Sequence, residues 1–226
     1  NTVGQWSLGP VWDITPNNML VLPSGKVMFY PGLTISGDDP RLWDPASNSL
    51  TSLARAGYDI FCTAHSFLSD GTILFTGGTL ILGDNPGLPY ASLYDAVTNV
   101  WTRVADMNAG RWYPTSTATG QGDVLVTTGW IDNVQHENAV PQVWQTSSGT
   151  WRSLTTALLK PWTYSWIYWT TFGNFILVGP EPTTRYLDIS GTGTWTSAGR
   201  FSYPIERDTG SSVLYSLSKI LIAGGS

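Results

Sequence analysis

An all-β fold built from a repeated antiparallel unit is what this sequence predicts, on three observations. Short apolar runs joined by tight-turn residues recur along the chain, helical periodicity is absent, and aromatic residues return at a fixed place in each repeat. The chain has 226 residues, of which 42% are hydrophobic, enough to bury the core of a single domain spanning 1–226.

The repeat is clearest at 59–78, DIFCTAHSFLSDGTILFTGG, where two apolar runs flank Ser69-Asp70-Gly71 and end at Gly77-Gly78. Asp-Gly favours the positive φ of a tight hairpin turn. Hairpins of the same design occupy 19–32, 66–78, 116–129, 168–180 and 212–225. Their turn residues, Gly25, Gly71, Gly122, Gly173 and Ser218, are separated by 46, 51, 51 and 45 positions. After each of the first four comes a third run carrying an aromatic or aliphatic pair, as in Leu42-Trp43-Asp44 and Leu93-Tyr94-Asp95. Turn formers follow, and then Leu50, Trp101, Trp151 or Trp195. Four strands per repeat at a period near 50 is the kelch pattern of a β-propeller. Four blades and the opening hairpin of a fifth are expected, with most tryptophans packed blade on blade. The stretch 5–13, with Gln5-Trp6 and Val11-Trp12-Asp13, is a candidate strand for a closing blade.

Composition excludes several partners. Charged residues are 12% and the formal net charge is −5, so the attraction that nucleic acid requires is missing. The longest apolar runs, 175–178 and 220–223, are far shorter than the roughly 20 residues of a membrane helix. A chain opening at Asn1 without an initiator methionine or a charged and apolar leader has the look of a secreted protein after signal removal, and an extracellular location is the expectation. Its single cysteine, Cys62, cannot form an internal disulfide and is either a small buried residue or a reactive thiol.

Common catalytic arrangements are scarce. No GxSxG elbow surrounds a serine, no glycine-rich phosphate loop opens a helix, and the carboxylates are scattered through turns. Cys62 and His65 are three apart, which on a continuous strand turns them to opposite faces and argues against a Cys-His dyad. The other histidine, His136, is far away in sequence.

Asp59-Ile60-Phe61-Cys62, a kelch hairpin, and then Gly110-Arg111-Trp112-Tyr113-Pro114 at the mouth of the next hairpin resemble the galactose oxidase and glyoxal oxidase family of copper-radical oxidases. Gly4-Gln5-Trp6, the tract 166–199 and Arg207-Asp208-Thr209-Gly210 extend the resemblance over nearly the whole chain. It implies a seven-bladed propeller of which this chain supplies about four and a half blades, the front part of a secreted oxidase of alcohols or aldehydes that reduces dioxygen to hydrogen peroxide. It also implies a thioether between Cys62 and Tyr113, forming a redox cofactor with Tyr113 as a copper ligand. Trp130 is the implied shield of that thioether and Lys160, beside Trp162, the implied contact for a small alcohol, aldehyde or carbohydrate substrate. The family completes its copper site with a Tyr-His pair and a further histidine, and neither is matched here. A further segment or second chain would supply them, and this chain alone is expected to be inactive. The competing expectation is a non-catalytic kelch module binding carbohydrate or protein.

Overall fold

The computed structural model describes residues 4, 8–9, 11–31, 37–80, 87–200, 205–217 and 219–225. Two compact units, 1–61 and 62–226, are distinguished within it.

The first unit is one antiparallel sheet, β1 (Pro16–Val21), β2 (Val27–Pro31), β3 (Arg41–Asp44) and β4 (Ser49–Ser52), paired in that order. Met28, Phe29 and Tyr30 on β2 are fully buried, as befits a strand flanked on both edges. Trp12 stacks on Phe29 at 4.3 Å, and Arg41 holds Asp13 at 2.9 Å. Val11, Trp12 and Asp13 lie outside any strand, so this described part of the candidate closing strand packs as a loop. Gln5 and Trp6 lie outside the described residues.

The second unit repeats the sheet. Blade two is β5 (Ala64–Phe67), β6 (Ile73–Thr76), β7 (Ala91–Asp95) and β8 (Val100–Arg103). Blade three is β9 (Thr115–Ala118), β10 (Val124–Thr127), β11 (Gln142–Gln145) and β12 (Thr150–Ser153). Blade four is β13 (Ile167–Trp169), β14 (Phe175–Leu177), β15 (Thr183–Asp188) and β16 (Thr194–Arg200), followed by the hairpin β17 (Ser211–Ser216) and β18 (Lys219–Ala223). Each four-stranded sheet runs in simple sequential order. These are propeller blades, four of them with the opening hairpin of a fifth.

Local chemistry explains the regularity. In the first four hairpins a three-residue loop is closed by the same pair of backbone bonds, as where Leu68 N–H meets Thr72 O (2.8 Å) and Gly71 N–H meets Leu68 O (3.0 Å). Gly25, Gly71, Gly122 and Gly173 take φ between +78° and +91° at the third loop position, the type I turn with a glycine bulge. Ser218, aligned with them in the fifth hairpin, lies outside the described residues. The turns from third to fourth strand use side chains instead. Asp44, Asp95 and Asp188 each accept a backbone N–H two residues on at 2.8–2.9 Å.

Blades of the second unit meet in two ways. Their first strands stand side by side, joined by Ser66 Oγ to Ser116 Oγ (2.8 Å), Thr117 Oγ1 to Ile167 O (3.0 Å) and Tyr168 Oη to Ser212 Oγ (2.6 Å). Their faces enclose apolar layers. Leu68, Leu74, Val124, Val126 and Trp144 lie between blades two and three, and Leu125, Leu154, Ile167, Phe175 and Leu187 between three and four. Trp151 and Trp195 cap these layers, each donating its indole N–H to a carbonyl of the preceding blade, Ala105 O (2.8 Å) and Ala157 O (2.9 Å).

Candidate active site

The site is assembled where the first strands of blades two, three and four begin. Cys62, Tyr113 and Tyr164 stand two or three residues before β5, β9 and β13, and successive members are 51 positions apart. All are in the left-handed backbone region, with φ of 58°, 62° and 51°, and Thr209 before β17 repeats the value at 58°. A non-glycine residue there carries about 1–3 kcal/mol of strain. The blade geometry therefore sets the backbone, and the strain is borne four times. Cys62 accordingly lies in a turn ahead of β5, not on a continuous strand with His65.

Backbone bonds lace these positions together. Tyr113 N–H donates to Cys62 O at 3.1 Å, and Tyr164 N–H donates to Tyr113 O at 3.1 Å. Side chains at the shared position meet their neighbours in the same sense. The buried Cys62 thiol hydrogen-bonds the Tyr113 hydroxyl, and the Tyr164 ring meets the Tyr113 ring edge-on at 5.3 Å. Burial, reinforced by the thiol beside it, pushes the Tyr113 phenol well above its ordinary range, so it is neutral at physiological pH.

Two tryptophans complete the surroundings of Tyr113. Trp112 stacks on it at 4.4 Å with 24° between planes, whereas Trp130 meets it edge-on at 5.3 Å and 87°. Trp112 and Trp130 are themselves paired through two backbone bonds, 2.9 and 2.8 Å. Beneath them Arg111 is 0% exposed. Its guanidinium donates to Thr128 O (2.6 Å), Val140 O (2.5 Å) and Asn108 Oδ1 (3.2 Å), tying three loop segments together. None of these acceptors is charged, and burial pushes Arg111 down to about 9. The loops close so tightly on Arg111 that a Cβ at Gly129 would lie 2.8 Å from the Arg111 Cβ, and one at Gly77 would strike the Arg111 carbonyl.

No family model matches the sequence. Two galactose oxidases of Gibberella zeae, one from strain PH-1, are each 27% identical to it over 260 aligned positions, covering 99% of this chain and 36% of the relative. The chain is similar in sequence to galactose oxidase. It spans about a third of the length of those curated relatives. Among solved structures, a fungal alcohol oxidase of the AA5 family, in complex with copper, superposes on the whole chain with a TM-score of 0.82. The identity is 21% and 50% of that oxidase is covered, so this match speaks to the fold.

Within this galactose-oxidase-like frame, the residues singled out from sequence fall as follows. Cys62 and Tyr113 are in contact. Trp130 touches Tyr113 as well, but the ring lying face to face with the phenol is Trp112. Lys160 is exposed, its charge acting on Glu137, whose backbone bridges to Trp130. The histidines are placed elsewhere. His136 is held by Asp132 at 2.7 Å on an exposed loop, and His65 is on β5 with its ring 5.8 Å from Phe75. Tyr164 was not anticipated, although its signal, the 51-residue step from Cys62 to Tyr113 taken once more, was available in the sequence.

Proposed function

We propose that this chain carries the redox half of a secreted copper-radical oxidase acting on primary alcohols or aldehydes, with Tyr113 as the redox residue and Cys62 as its covalent modifier. The observation that carries the reading is the contact of the lone cysteine with a neutral phenol, at equivalent turn positions of adjacent blades. The relation to galactose oxidase points the same way.

The modification joins Cys62 Sγ to a Tyr113 ring carbon ortho to the hydroxyl. The S–H and C–H bonds are lost, and their two electrons and two protons reduce dioxygen to hydrogen peroxide. A sulfur substituent at that position lowers the potential at which the phenol gives up an electron. In turnover the modified Tyr113, as a radical, takes one hydrogen atom from the carbon bearing the substrate hydroxyl. The full oxidation removes two electrons and two protons from the alcohol, and dioxygen receives them as peroxide. Trp112, stacked on the ring, screens it from solvent.

Copper, when bound, supplies the second one-electron acceptor. Among the described residues, Tyr113 is the donor that fits this requirement. Among the described residues no three His, Cys, Asp or Glu side chains are grouped to hold a metal, and copper takes several N/O ligands. The remaining ligands come from a further segment or a second chain. Because the phenol is neutral beforehand, ligation by Tyr113 displaces a proton, and copper affinity rises with pH.

Intact mass with peptide mapping of the full-length protein, produced with copper, tests the reading. Cys62 and Tyr113 peptides joined with the loss of two hydrogens are expected, along with peroxide release from primary alcohols. A freely alkylating Cys62 in copper-loaded protein would overturn it in favour of a non-catalytic kelch module.

A further inference from the structure

Among the described residues, the neighbours of Tyr113 include four side chains of distinct character. Cys62 is buried, and Trp112 and Trp130 are both partly buried. The fourth, Tyr164, is 39% exposed while its ring edge meets the phenol at 5.3 Å. We propose that Tyr164 is a substrate-contacting residue, the wall against which an aromatic ring or the C–H face of a sugar lies when the reacting carbon of an alcohol or aldehyde reaches Tyr113.

The geometry of the repeat supplies the argument. At the shared position before each first strand, side chains of successive blades touch in pairs, Cys62 with Tyr113 and Tyr113 with Tyr164. The backbone bond from Tyr164 N–H to Tyr113 O at 3.1 Å fixes the second pair as the bond from Tyr113 N–H to Cys62 O fixes the first. The left-handed backbone is common to all four positions, and in the last it holds a threonine, Thr209. The turn therefore imposes no aromatic residue. A large ring at φ 51° adds strain at a position that leaves 39% of it exposed. What it does provide is exposed ring surface in contact with Tyr113. Aromatic faces favour offset or edge-on partners, so an incoming ring has a ready geometry there.

This inference rests on Tyr113 being the redox residue, and the experiment separates the two. The full-length, copper-loaded protein is compared with its Tyr164→Phe, Tyr164→Leu and Tyr164→Ala variants, using benzyl alcohol and glycerol as substrates and intact mass for the cross-link. Cross-linked protein is expected in all four. KM for benzyl alcohol should rise about three- to tenfold in Tyr164→Ala and Tyr164→Leu, with KM for glycerol and kcat moving by less than about twofold, and Tyr164→Phe should stay near wild type. Equal KM values for both substrates across the series, with the cross-link intact, would overturn the role of Tyr164. A parallel fall of kcat on both substrates would do so too, since it describes general damage. If Tyr164→Ala fails to fold, the Leu and Phe variants carry the comparison. Loss of cross-link and peroxide in wild type would instead remove the reading of Tyr113 beneath it.

Discussion

Arg111, buried, and His65, partly buried on β5, are two bases of the second unit whose surroundings disfavour their charge. Arg111 keeps its charge because three neutral oxygens accept from it, and these loops would otherwise leave carbonyls of Thr128 and Val140 unpaired. Replacing it with methionine should lower stability by about 1–3 kcal/mol, read as a shift in the urea midpoint with an unchanged slope. Desolvation pushes His65 down to about 4 from an ordinary 6.5. As pH falls below 6.5 the unfolded chain therefore takes up a proton that the folded chain refuses, and stability is lost from there down to about pH 4. The loss amounts to about 1–3 kcal/mol. A His65→Gln variant should show a flatter melting temperature between pH 4 and 6.5, and above 6.5 this contribution vanishes. Melts at half-unit pH steps check both halves of the statement.

At the scale of elements, the two ends of each hairpin obey different rules. The turn at Gly71 is in open space with φ +86°, so Gly71→Ala meets only backbone cost, about 1–2 kcal/mol. Gly77 has the same φ, but there a methyl group also strikes the Arg111 carbonyl. Gly77→Ala should therefore cost clearly more, about 3 kcal/mol or above, in parallel thermal melts. The same difference explains what could be read from the sequence. Hairpins 66–78 and 116–129 were legible because glycine and aspartate act within a few residues. The turn holding Cys62 was not, since no glycine marks its left-handed φ and its carbonyl is paired with Tyr113 N–H, 51 residues on. Nor was the stacking of Trp112 on Tyr113, because adjacent residues share a face only where the chain departs from a regular strand. For the candidate site, Cys62 and Tyr113 were found through their motif, whereas Tyr164 has no motif and follows only from counting the repeat once more.

Among the described residues of the second unit, two apolar layers lie on opposite faces of blade three, where Val126 and Leu125 alternate. Substitutions in different layers should act independently. Val126→Ala is expected to cost about 1–2 kcal/mol and Ile167→Val about 1 kcal/mol. The double variant should equal their combined cost within about 0.5 kcal/mol. A coupling above about 1 kcal/mol would mean that the layers respond as one body.

The short turns centred on Gly71, Gly122 and Gly173 close the far ends of the same strands whose near ends begin at Cys62, Tyr113 and Tyr164. Six residues of mostly extended chain, 63–68, 114–119 and 165–170, roughly 20 Å, separate the two sets. Anchoring groups attached at those turns would fasten the protein to a support with Tyr113 at the opposite end of the strands. The strand length then fixes how far an electrode would stand from Tyr113.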